Sequence, residues 1–142
     1  MSLESLRVWG ESKIQTLMNT NYPSMPVHFD NTPFNQPDTA WCAFSLLDGH
    51  SMLINIGTKK IDRHLGIIQF DCLVPQNTGT VLAHTVVELV GQAFRDTVAG
   101  LSDGAKIVVK VPVYANLGTS GGFFRMNVRL PFCRDEPLTA SN

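Results

Sequence analysis

The sequence predicts an α+β fold: a mainly antiparallel sheet of about five strands with two helices packed on one of its faces. Runs such as HLGIIQFDCLV and GFFRMNVRLPF alternate apolar and polar residues, the period of a strand. Residues 3–18 and 80–99 instead repeat their apolar residues at helical spacing. Each helix shows one apolar face, and each strand shows one apolar and one mixed face. Both helices therefore go to the same side of the sheet.

The first helix places Leu3, Leu6, Gly10, Ile14 and Leu17 on one stripe, with Ser2 as its cap. Trp9 falls off that stripe, where it meets a second surface or lies flat on its own domain. In HFDNTPFNQPDTAWCAF the prolines Pro26, Pro33 and Pro37 fix their own φ and push the preceding residues toward extended conformations. A short strand at Val27 to Phe29, a turn through Asp30 and Asn31, a stiff surface arm and a buried strand follow from this. AWCAFSLLDG and SMLINIG read as two strands joined by a turn at Asp48, Gly49 and His50. In the next strand Ile68, Phe70, Cys72 and Val74 face the core, opposite Ile67, Gln69, Asp71 and Leu73.

Pro75 ends that strand, and Asn77 or Thr78 caps a helix from Thr80 to Ala99. Its broad face comprises Leu82, Val86, Leu89, Val90, Ala93, Phe94 and Thr97, with Gly100 as the stop. Two strands close the domain. Ile107, Val109, Val111 and Val113 face inward on the first, and Phe124, Met126, Val128, Leu130 and Phe132 on the second. Pro112 and Pro131, at outward positions, point to an edge or a bulge. ANLGTSGG reads as a mobile loop.

The 142 residues (15.6 kDa) suffice for one domain, expected over residues 1–136, with a short flexible end at 137–142. A net charge of −1 argues against a nucleic-acid binder, which would carry a basic excess. Charges at Glu4, Arg7, Glu11 and Lys13 interrupt any apolar export signal, and no window reaches the length of a membrane span. Cys42, Cys72 and Cys133 lack the paired spacing of a zinc site and read as reduced thiols of a cytoplasmic protein; no metal or cofactor is expected.

No catalytic constellation emerges. His28, His50, His64 and His84 are scattered over different elements, and GTSGG lacks the lysine of a phosphate-cradling loop. An enzyme or ligand site would have to be assembled from His64, Asp71 and a cysteine. The helix-free side of the sheet carries Lys106, Lys110, Arg125, Arg129, Gln69 and Asp71 among Val108, Ile67, Leu73, Tyr114 and Phe123. That mixture is richer in apolar residues than a solvated face needs, and it suggests an interface.

MSLESLR opening a helix, FDNTPFNQP before WCAFSLL, GIIQFDCLVPQNTG entering the second helix, and NVRLPFCRD near the end together resemble the tail terminator proteins of long-tailed, lambda-like bacteriophages, over residues 1–135. The resemblance implies a structural virion protein that assembles in the host cytoplasm as a hexameric ring on the tail tube. There it stops tube growth and offers a surface to a head completion or stopper protein. It implies no catalytic motif. Within that reading, Asp30, Asn31, Pro33 and Phe34, with Trp41 and Trp9, are expected at the subunit interface, the arm acting as a clamp on a neighbour or as a clasp within its own subunit. Lys106, Lys110, Asn116, Leu117, Arg125 and Arg129 are expected to contact the tail tube. Replacing Arg125 and Arg129 with glutamate should then impair tail completion and leave the fold intact. A head-to-tail connector or stopper is the alternative neck component.

Overall fold

The computed structural model describes residues 3–101 and 104–137, so the Ser2 cap and the end beyond residue 137 lie outside the described residues. The elements run α1 (Leu3–Asn21), β1 (Val27–Phe29), β2 (Trp41–Ile56), β3 (Lys59–Pro75), α2 (Val81–Phe94), β4 (Val98–Gly100), β5 (Lys106–Val109), β6 (Val113–Ser120) and β7 (Phe123–Pro137).

The expected sheet of about five strands with two helices on one face is corrected. Strand makes up 49% of the chain, and seven strands curl into a half-barrel. The order is β1-β2-β3-β7-β5-β4, with β6 also on β7. All pairings are antiparallel except β1 on β2, which is parallel. Local events set the pattern of strands. Val27–Phe29 joins the sheet edge, Val98–Gly100 leaves the helix to pair with β5, and residues 110–112 split one expected strand into β5 and β6.

The Asp48-Gly49-His50 turn is also corrected. β2 runs straight through it, and the register slips by one residue between Asp48↔Gly66 and Ser51↔His64. This is a β-bulge, and a Cβ at Gly49 would stand 2.9 Å from the Leu65 carbonyl oxygen, so backbone approach dictates glycine there. Bulges increase local twist, which helps the sheet curl. The ANLGTSGG loop is strand β6, closed onto β7 by Gly121 and Gly122, both at positive φ. β6 also holds a bulge: Leu117 is the extra residue between Asn116↔Met126 and Gly118↔Arg125.

α2 ends at Phe94, five residues before the expected Ala99. Asp96 turns the chain at φ 56°, and the Arg95 amide closes the last turn on the Gly91 carbonyl. Neither Asn77 nor Thr78 occupies the cap, which is Thr80 without a side-chain bond. Leu82 and Leu3 are exposed, and Met18 takes the place expected for Leu17 as a fully buried residue.

The inward rows agree with the alternation in β3 and β7. Ile68, Phe70, Cys72, Val74, Val128, Leu130 and Phe132 join Leu6, Ile14 and Met18 of α1 and Val86, Val90 and Phe94 of α2 in one core. At about 25 cal/mol per Å² of apolar surface removed from water, this cluster is the main stabilising term. The break at residues 110–112 inverts the next strand. Val111 and Val113 are exposed and Pro112 is buried, while Tyr114, still 40% exposed, reaches toward Gly91 of α2. Pro131 is tolerated inside the central strand β7 because its backbone faces the gap between β5 and β6, where Lys110 N–H donates to its carbonyl at 2.8 Å.

Candidate assembly interface

The helices contribute to the core behind the inner rows, so the outward rows carry no helical cover. Reading across paired residues, two adjacent rows are apolar: Leu65, Cys133, Val108 and Val98, then Leu47, Ile67 and Pro131. A row with Arg63, Asp135 and Lys106 borders them on one side, and one with Gln69 and Arg129 on the other. Leu47 and Val98 are 45% and 58% exposed, so the band meets solvent in the single chain. An apolar band with charged borders is the pattern of a contact surface.

Arg63 donates two hydrogen bonds to Asp135, at 2.8 and 2.9 Å. These bonds hold the Asp135 carboxyl below its ordinary range, and the charges of Lys106 and Lys110 act in the same direction.

Further along the same face the expected polar surface is buried. Asp71, only 5% exposed, accepts from the Asn127 amide and sits 3.2 Å from the Arg125 guanidinium. Trp41, Leu73 and Phe123 form a small cluster beside them, with Phe34 and Ala43 packed against it. Arg125 thus pairs with a buried carboxylate, a contact that reversing its charge would remove. Arg129, Lys106 and Lys110 remain exposed.

The proline-stiffened arm lies on its own subunit. Val27–Phe29 is the expected strand, and the expected turn at Asp30 and Asn31 follows, with Asn31 at φ 54°. Phe34 is tilted over Trp41 with centroids 5.0 Å apart and stacks on His28 at 4.8 Å. Asp30 accepts the Ser45 hydroxyl at 2.8 Å. Asn31 and Pro33 stay exposed. Trp9 meets Phe94 edge-on at 5.7 Å and lines an open groove of about 740 Å³ with Val8, Lys13, Leu17 and Leu101. Asn116 and Leu117 stand at the β6 bulge rather than on the basic face; the Asn116 side-chain oxygen accepts the Gly118 amide at 2.8 Å.

The residues of the enzyme alternative are not brought together. His64 and Asp71 are seven positions apart on β3 and point to opposite faces. Cys42 and Cys72 face each other in the core, where the hydrogen bond between them and burial push the Cys42 thiol well above its usual value. That disfavours a thiolate nucleophile. Sequence reasoning missed one pair, the Ser51 hydroxyl on His64 Nδ1, beside buried Arg134 in a small cavity of about 170 Å³. Among the described residues, the buried His64 Nε2 has no hydrogen-bond partner, so none of them orients the ring as the acid of a catalytic triad does. Only the bulge that sets Ser51 opposite His64 could have signalled it, and in the sequence that bulge reads as a turn.

A family model described as phage tail terminator protein matches residues 11–132. No curated protein matches. One solved structure superposes with a TM-score of 0.76 over 94% of this chain and 96% of its own. At 17% identity that likeness concerns the fold.

Proposed function

The chain belongs to the phage tail terminator family, a structural component of the virion tail, and on that premise we propose that it caps the tail tube as a ring. The ring ends tube polymerisation and presents the surface to which a head completion or stopper protein binds. Assembly takes place in the host cytoplasm, and the ring is hexameric. Among the described residues no helix is long and apolar enough to cross a membrane.

The observation that carries this reading is the helix-free face of the sheet, with its two apolar rows between charged ones. A monomer gains nothing from keeping Leu47, Val98 and Val113 in water, whereas a subunit that docks on neighbours buries them. We assign the exposed cations Lys106, Lys110 and Arg129 to the tail tube, where they meet acidic groups of its end or lumen. Asp30, Asn31 and Pro33, held beside β2 by the Ser45 bond, border the subunit contact, and Phe34 and Trp41 fix the arm from within. Trp9 and its groove form a separate apolar patch.

The test is light scattering over a concentration series with and without isolated tail tubes, backed by negative-stain images. A closed ring, free or only on the tube, is expected. A monomer that ignores tubes would contradict the proposal.

A further inference from the structure

The sheet ends in open edges. β1 covers only Cys42 to Phe44 of β2, so among the described residues the edge of β2 from Leu47 to Asn55 has no strand beside it. β6 pairs on one side only, with β7. Exposed edges of soluble proteins are ordinarily blunted with lysines, prolines or inward charges. Here each edge carries a bulge, at Gly49 of β2 and Leu117 of β6, and Pro112 precedes β6, but charge is sparse: β2 carries Asp48, and from Val111 to Phe124 there is none. Large apolar side chains are instead exposed along them, Met52 and Leu53 on β2 and Val113 and Leu117 on β6.

Strand direction then selects the partner. β2, β3, β7 and β6 alternate in direction, so β6 runs opposite to β2 at the far end of that path. Copies related by rotation about a ring axis to which the strands are tilted keep the same up and down. The β6 of one copy therefore meets the β2 of the next antiparallel, and the alternation continues across the boundary without a fault. β4 runs the same way as β2 and would give the less stable parallel pairing. The open parts of β2 and β6 lie at opposite halves of the sheet, which staggers neighbours as strand tilt in a closed barrel requires.

We propose that the free edge of β6 in one copy pairs antiparallel with the free edge of β2 in the next, a heterologous contact that continues one sheet around the ring. It rests on the ring reading above and names the strands that build it. One kind of contact satisfies both edges of every subunit, which is the condition for a closed ring.

Two double variants test this, M52K/L53K on β2 and V113K/L117K on β6, studied by sedimentation with and without tail tubes. Each alone should fail to form the wild-type ring, with self-association weakened roughly a hundredfold. Mixed in equal amounts they should form dimers and nothing larger, because one intact β2 and one intact β6 remain. Rings from either variant alone, a mixture that stays monomeric, or variants that form rings but no longer bind tubes would each overturn the edge contact while leaving the ring reading standing. Wild-type protein that never assembles, even on tubes, would remove both. Hydrogen exchange of the wild-type protein needs no variant: on assembly, amides of residues 47–55 and 113–120 should gain protection, and unchanged exchange there in a ring would overturn the proposal.

Discussion

The hydroxyl of Tyr114 on β6 fills the space that a side chain at Gly91 of α2 would occupy; a Cβ there would lie 2.3 Å from the oxygen and 3.0 Å from the ring. Glycine in mid-helix is thus the condition for seating β6 against the helix. Burial behind this contact holds the Tyr114 hydroxyl above the ordinary pKa of 10.0.

Gly91→Ala should push the tyrosine outward. The helix gains about 1 kcal/mol in propensity, and the displaced ring loses a similar amount of burial, so net stability should change by less than about 1 kcal/mol. The Tyr114 pKa should fall back toward 10.0, measurable by ultraviolet titration against Tyr114→Phe.

The two arginines of the outer face should separate cleanly. Arg129→Glu, at an exposed position, should alter stability by no more than about 0.5 kcal/mol in denaturant unfolding yet reduce tail completion. Arg125→Glu places a carboxylate beside buried Asp71 and should cost about 2–3 kcal/mol, a figure already reduced for the 42% exposure of the Arg125 side chain. Equal stability losses would contradict the assigned roles.

What the sequence revealed and what it hid follow from the range of the interactions. Alternation in β3 and β7 identified the inward rows because both strands run long between fixed neighbours. The polar residues of β3 read as part of an outward interface row, since nothing local shows that Asn127 and Arg125, over fifty residues away, close over Asp71. Asp-Gly ordinarily signals a turn, and only the pairing of Asp48 with Gly66 and of Ser51 with His64 makes it a bulge. Val98 and Ala99 continue the helical pattern of α2, and the left-handed Asp96 that ends it is invisible in composition. Alternation puts the cations Lys106, Lys110 and Arg129 at exposed positions, whereas Asn116 and Leu117 lie in a glycine-rich segment that reads as a loop and forms β6.

Stability in acid should depend on the pair of Arg63 and Asp135. The Asp135 carboxyl is depressed in the folded state, chiefly by the Arg63 hydrogen bonds, so its contribution is complete above the ordinary value of 3.8 and is lost as pH falls through the lower folded value. The pair is partly exposed and should contribute less than about 1 kcal/mol. Asp135→Asn should be less stable than wild type at neutral pH, and the gap should close as pH drops below 3.8.

Phe34→Ala should release the arm from Trp41. Loss of the tilted ring contact and its burial should cost about 1–2 kcal/mol and shift tryptophan emission to longer wavelength. The shift should be independent of protein concentration, because the arm docks on its own subunit. A shift seen only in the assembled protein would place Phe34 on a neighbour instead.

The most direct test of the account is electron microscopy of tail tubes grown from purified tube protein with and without this protein. Tubes of arrested length, each ending in one ring of this chain, are the expected result. Tubes that lengthen equally in its presence, with bare ends, would contradict termination by a ring.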